Sequence, residues 1–278
     1  NSTGMAKFAY GADLGGNVYR ISGTSPNVEI GNTDPEKWTI TKIAAFGGSG
    51  ADNRKFMFGP DVLDENGTYV LLIGSGDREK PLRQYASASA VQNRFYVFRD
   101  KPTVATYLSD EKTNCGAELI CHASLTPILD KTTPSDSVLA AKKGWYLALS
   151  ASEQVVTSAI TVFNTVIFST HVPTPPDPNQ CSALGTAYTY NLNYTNAAST
   201  RTDSSDRGRP VAGGGLLPSA VVGNVNVDGR TVTVCTSCGA GGGGAGGGDD
   251  GDRLKFKVLE APTGAIRPKS RVYWKIKK

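Results

Sequence analysis

The feature that most constrains this chain is a recurrence: short β-prone runs, each closed by glycine, asparagine or aspartate, follow one another along almost the whole sequence. About sixteen such runs can be counted, and that spacing is the signature of an all-β domain. Lys7–Tyr10 and Asn17–Ile21 are joined through Gly15-Gly16, a pair suited to the positive φ of a tight turn. Trp38–Phe46 is rich in β-branched residues, and Asn93–Phe98 is aromatic. Tyr69–Ile73 is continuously apolar and ends at Gly74-Ser-Gly76, as a strand buried on both faces would. Val162-Phe163 and Val166–Phe168 flank an expected turn at Asn164-Thr165. Val225–Val227 and Thr231–Val234 alternate around Asp228-Gly229, the strongest hairpin signal in the chain. Phe256–Val258 and Arg271–Ile276 complete the set.

Helical signals are few. Ser135 or Asp136 is placed to cap one short helix running to Lys143 and stopped by Gly144, and Glu118–Ala123 has room for a further turn. The sequence therefore predicts one or two short helices among long loops. A propeller blade has four antiparallel strands, so the strand count gives about four blades. With the first strand almost at residue 1, the expectation is that residues 1–278 form the C-terminal part of one larger β-propeller domain, its other blades lying upstream.

Composition removes several classes of function. A net charge of +4 on 278 residues is too small for a nucleic-acid or polybasic membrane surface. No apolar run approaches the roughly 18 residues of a membrane span, and no signal peptide opens the chain. Two low-complexity stretches read as surface loops: Gly239–Gly248, followed by Asp249, Asp250 and Asp252, and polar Thr195–Pro210 with Arg201, Arg207 and Arg209.

Five cysteines stand at Cys115, Cys121, Cys181, Cys235 and Cys238. Cys115 and Cys121 flank a loop short enough to close. Cys235-Thr-Ser-Cys238 precedes a glycine tract and not the helix that a thioredoxin-like motif needs, and neither His122 nor His171 sits at zinc-finger spacing. Cys115, Cys121, Cys235 and Cys238 are therefore candidates for structural disulfides in an oxidising compartment. Cys181 is the odd one, left to pair with chain outside this sequence.

Catalytic or metal chemistry finds little support. Asp64-Glu-Asn66-Gly67 mimics the start of a calcium loop but lacks the first acidic positions and the closing glutamate, so it reads as a turn. Asp13 and Asn17 read as residues that hold the Gly15-Gly16 hairpin. Asp77, Arg78 and Glu79 suggest a buried ion pair between blades. His122 and His171 both adjoin expected loop turns, and no nucleophile–base set presents itself. The expectation is a protein that is not an enzyme. Tyr188, Tyr190 and Tyr194 alternate along one run and offer a stacking platform for a lectin-like, carbohydrate-binding alternative.

Several segments in order resemble one family. Ala9-Tyr10-Gly-Ala-Asp13-Leu-Gly-Gly-Asn17-Val-Tyr-Arg-Ile21 is similar to the blade signature of type IV pilus tip-associated adhesin and biogenesis factors, the PilY/PilC-type C-terminal β-propeller. Phe58–Val62, Leu72–Pro81 with Asp77 and Arg78, Asn93–Tyr96, Gly144-Trp145-Tyr146, Glu153–Val156 and the terminal Arg271-Val-Tyr273-Trp274 continue the resemblance. It implies an exported protein at the pilus tip or outer surface of a Gram-negative bacterium. Such a factor supports pilus biogenesis, twitching motility, attachment and virulence. Its implied partners are minor pilins or the tip complex and a host or abiotic surface. The resemblance implies a calcium loop just before the first signature, but Asn1–Lys7 holds no carboxylate: either the chain begins after that loop or this member lacks it, so no cofactor is expected in this chain and an upstream segment is the one place left for calcium. Similar blades occur in quinoprotein-type dehydrogenases, the enzymatic alternative, although the adjacent cysteine pair of that class is absent.

Overall fold

A computed structural model of the chain describes residues 4–175, 184–201, 205–227, 230–236 and 256–259. Sixteen strands among them form four separate open sheets. The first sheet holds β1 (Ala9–Ala12), β2 (Asn17–Ser22) and β3 (Thr39–Ala45) in that order. The second runs β4-β5-β6-β8-β7, from β4 (Asp61–Glu65), β5 (Thr68–Gly74), β6 (Arg94–Asp100), β7 (Thr126–Ile128) and β8 (Gly144–Ala148). The third holds β10 (Ile160–Val162), β11 (Thr165–Val172), β12 (Thr186–Asn193) and β13 (Gly208–Val211), with β9 (Gln154–Val155) also paired to β11. The fourth is β14 (Val221–Val227), β15 (Arg230–Thr236) and β16 (Phe256–Leu259). All pairings are antiparallel except β7 with β8, so the second sheet departs from a plain four-stranded meander.

The sheets stack in series, and the second is packed on both faces. Along β5, Val70 and Leu72 enter one core while Tyr69, Leu71 and Ile73 enter another. Along β6, Phe95 and Val97 join the first of these cores, and Tyr96 and Phe98 the second. This two-sided burial explains why Tyr69–Ile73 is apolar without interruption: successive strand side chains point to opposite faces, and here each face has a neighbour. Against the first sheet, Phe46 stacks on Tyr96 with ring centroids 4.3 Å apart. Against the third, Phe95 stacks on Phe168 at 3.8 Å, and Phe168 in turn on Tyr190 at 4.8 Å. A smaller cluster, Ile167 with Cys235 and partly buried Val222, joins the third sheet to the fourth.

Glycine sets the closest approaches. Gly16 has φ +75°, and a Cβ on it would lie 2.6 Å from the Gly47 Cα, which lets the β1–β2 turn seat on the chain leaving β3. A Cβ on Gly76 would lie 2.3 Å from the Val155 carbonyl oxygen, where the second and third sheets meet.

Several local expectations change. The helix after Ser135 is α4 in chain order, Asp136–Ala140, following α1 (Ala86–Ser89), α2 (Thr106–Ser109) and α3 (Lys112–Cys115). It ends before Lys142, and Gly144 opens β8 because its backbone pairs with Phe98. With three 3-10 turns in addition, the described residues carry more helical segments than the one or two expected, all of them short. The β10–β11 turn is Phe163-Asn164 and not Asn164-Thr165, since Val162 pairs with Thr165 and Phe163 takes φ 51°. The polar stretch after Thr195 is not all loop: Gly208–Val211 is β13, and Arg207 is buried. The Arg207 guanidinium donates to the carbonyls of Ala197 and Thr132, at 2.7 and 3.0 Å, and to that of Asp130. The glycine tract Gly239–Gly248, the aspartates after it and Arg271–Ile276 lie outside the described residues.

Candidate functional site

The resemblance-derived positions are distributed along the seams between sheets and do not converge on one cavity. Asp13 holds the β1–β2 turn: its Oδ1 accepts from the backbone N–H of Gly15 and of Asn17, both at 2.9 Å. Its Oδ2 accepts from the Asn17 amide and the Tyr19 hydroxyl, again at 2.9 Å. Burial opposes its ionisation, but the donors from Asn17, Tyr19 and Gly15 outweigh it and hold the carboxyl below its usual range. Tyr10 reaches across to the second sheet and donates to Asp100 at 3.0 Å. Its hydroxyl is pushed far up by burial and by the Asp100 charge.

Asp77 is buried and ion-paired, but with Lys55 at 2.6 Å and not with its sequence neighbours Arg78 or Glu79. Burial opposes this carboxylate too, but the Lys55 hydrogen bond and charge together with the backbone N–H groups of Lys80 and Glu79 outweigh it and hold the carboxyl below its usual range. Arg78 instead donates to the backbone carbonyls of Val156 and Leu217, the latter at 2.9 Å, tying the second sheet to the segments before β10 and β14. Trp145, only 2% exposed, donates from Nε1 to the Tyr194 carbonyl at 2.9 Å. Tyr273, Trp274 and Cys238 lie outside the described residues, as does Cys181.

The tyrosine platform does not exist as a surface. Tyr190 and Tyr194 are buried, their hydroxyls donating to Glu153 and Glu65 at 2.7 Å each, while Tyr188 packs on the core. Both histidines take packing roles, His122 in a 3-10 turn and His171 in a strand where the sequence predicts a turn beside it. His171 sits inside β11 and is buried, its Nε2 2.9 Å from the Leu184 carbonyl. His122 lies among Phe46, Tyr96 and Tyr146, with Nε2 3.0 Å from the Tyr96 hydroxyl. Burial, reinforced by the charges of Arg94 and Arg54, pushes its pKa down to about 4. Among the described residues no three of His, Cys, Asp and Glu converge in a way that could hold a metal ion. Asn66-Gly67 forms the β4–β5 turn, with Asp64 at the end of β4 accepting through Oδ1 from the Gly67 N–H at 2.9 Å.

A concavity with distinctive chemistry lies in the excursion between β6 and β8. It is a cleft of about 310 Å³ walled by Arg99, Lys101, Tyr107, Glu111, Lys142 and Lys143. The Cys115–Cys121 disulfide, with Cα atoms 5.7 Å apart, ties α3 to the 3-10 turn at His122–Ser124. This places Ser124 against Glu111: the Ser124 hydroxyl donates to Glu111 Oε2 at 2.5 Å and accepts from the Cys121 N–H at 3.1 Å. Glu111 Oε1 lies 3.4 Å from Lys143 Nζ, and that ammonium sits 3.7 Å from the Tyr107 ring centroid. Ser124 is buried and its proton is committed to Glu111, so this group braces the cleft floor. Cys235 is also disulfide-bonded, with its partner outside the described residues. The cleft was invisible in the sequence because its walls come from three segments. The alternation Arg99–Lys101 and the pair Lys142-Lys143 were its only traces.

Four short β-sheets stacked in sequence, stitched by buried polar side chains and extended by a disulfide-tied excursion, define the class: a serial multi-sheet all-β domain. More particularly, the fold is that of the C-terminal domain of PilY1 from Pseudomonas aeruginosa. The chain is similar to the crystal structure of that domain with a TM-score of 0.53 and 14% sequence identity, over 87% of this chain and 60% of that one. It thus spans about three fifths of the length of the domain it matches. No protein-family model and no curated protein matches the sequence.

Proposed function

We propose that this chain is the trailing part of the C-terminal β-domain of an exported type IV pilus-associated factor, acting without catalysis as a docking and load-bearing module. The observation that carries the reading is the likeness of this fold to the PilY1 C-terminal domain, with a TM-score of 0.53 over 87% of this chain. On this reading the sheets are blades of an incomplete propeller completed by residues upstream, where any calcium loop also lies. The Cys115–Cys121 disulfide supports export, because such bonds persist in oxidising compartments. Among the described residues no helix is long and apolar enough to cross a membrane, which agrees with a peripheral attachment through protein contacts. The buried pairs at the sheet seams support a mechanical role, since they resist separation of one sheet from the next. Minor pilins or the tip complex are the partners this reading assigns, and assembly, twitching and surface attachment are the processes it would affect.

The test is genetic and biochemical. Crosslinking on intact cells should recover pilus components with the full-length protein, and deletion of its gene should reduce piliation, twitching or attachment. A deletion strain normal in all three, with no pilus protein crosslinked, would overturn the reading.

A further inference from the structure

We propose that the cleft between β6 and β8 is a docking site for a carboxylate-rich peptide segment of a partner protein. Four cations line it against a single carboxylate, Glu111, leaving three positive charges in excess in a concavity of about 310 Å³. Glu111 is already engaged by the Ser124 hydroxyl and by Lys143. Arg99, Lys101 and Lys142 form no ion pair with any carboxylate among the described residues. Two of them are nevertheless held in place by backbone carbonyls. Arg99 donates to Lys142 O at 2.7 Å, and Lys142 Nζ to Ala123 O at 2.8 Å. Like charges gathered in one hollow repel each other, and the protein tolerates the repulsion in a site whose walls are tied by a disulfide. Preorganised cations of this kind lower the ordering cost of binding an anion.

The details favour a peptide over other polyanions. Carbohydrate sites usually offer an open aromatic face, but the Tyr107 ring carries Lys143 Nζ at 3.7 Å and Lys101 Nζ at 5.8 Å, so cations occupy it. The volume is at the low end of the roughly 300–1,000 Å³ of ligand pockets and suits a few side chains. The inference rests on the docking role proposed above only in taking the ligand to be a protein segment.

The experiment measures anisotropy of a fluorescein-labelled peptide of six glutamates with the purified chain at low salt. A peptide of six glutamines is the control. The glutamate peptide should bind and the glutamine peptide should not. The double variant Lys101→Gln/Lys142→Gln should weaken binding about tenfold or more. A charge-matched control, Lys42→Gln/Lys80→Gln, should leave it within about twofold. Circular dichroism should show both variants folded. Equal loss in the two double variants, no loss in the first, or equal binding of both peptides would overturn the proposal. So would full displacement by equimolar inorganic phosphate, which would make this a small-anion site, or by a polyuronate at lower concentration than unlabelled hexaglutamate, which would assign it to a glycan. Peptide binding without recovery of pilus proteins would sink only the pilus reading; recovery of pilus proteins without peptide binding would sink only this one.

Discussion

Arg20 and Asp100 lie 80 positions apart and meet at the seam between the first two sheets, where Arg20 Nη1 donates to both carboxylate oxygens at 2.8 and 2.6 Å. Both side chains are enclosed, and Tyr10 donates to the same carboxylate. Arg20→Met should leave Asp100 buried without its cation and cost about 3–5 kcal/mol of stability. Tyr10→Phe removes one charge-assisted hydrogen bond and should cost about 1.5–3 kcal/mol. Urea denaturation of the two single variants and the double variant would give the coupling. Additive losses would mean that the three groups do not act together.

Phe168 stands between Phe95 and Tyr190 in a continuous aromatic stack across the second and third sheets. Phe168→Ala should cost about 3–5 kcal/mol, while Phe168→Leu, which keeps most of the volume, should cost clearly less. The midpoint of urea unfolding for each variant checks the order. Equal losses would contradict that order and show that the aromatic stack, not the volume filled, carries the stability.

Replacing both Cys115 and Cys121 by serine should lower stability by about 2 kcal/mol, the loop between them being short. The effect should be local. Limited proteolysis followed by mass spectrometry should find new cuts between β6 and β8, and none within β5 or β11. Uniform digestion of the chain would contradict that expectation.

His122 should make stability fall as pH drops. Its folded pKa is held near 4 by burial and by the neighbouring arginines, while an unfolded histidine titrates near its ordinary 6.5. Between these two values the unfolded chain binds a proton that the folded chain refuses, so acidification favours unfolding in that window. Above pH 6.5 the effect vanishes. His122→Phe, which keeps a ring among Phe46, Tyr96 and Tyr146, should flatten the stability profile between pH 4 and 6.5. An unchanged slope, or an NMR titration of His122 midway near 6.5, would refute it.

The strands were legible because each depends on local information: alternation, β-branching, and a glycine or aspartate where the chain must turn. The Asp13–Asn17 hairpin could be read down to the residue that braces it, since all its partners lie within six positions. Legibility failed where the partner is distant. The run Asp77-Arg78-Glu79 suggests a buried ion pair without showing that Lys55 is the cation, and Arg207 reads as a loop residue although its carbonyl acceptors come from Ala197, Asp130 and Thr132. The helix after Ser135 is shorter than its sequence suggests, because Gly144 resembles a stop signal while its pairing with Phe98 is a tertiary fact. Tyr188, Tyr190 and Tyr194 showed the alternation of a strand without showing which side a neighbouring sheet would cover. The basic cleft belongs to the same category, assembled from residues that are unremarkable until the chain brings them together.

The second sheet feeds two cores from opposite faces of the same strands, and this has a consequence for what changes the chain can absorb. Loss of one residue within Thr68–Gly74 would invert the orientation of every side chain beyond it, so that Val70's and Leu71's successors exchange sides. Both neighbouring sheets would lose their counterpart in one event. Insertions in the exposed loop between β7 and α4 carry no such penalty for strand phase, so new surface chemistry can be added there while the stack stays in step.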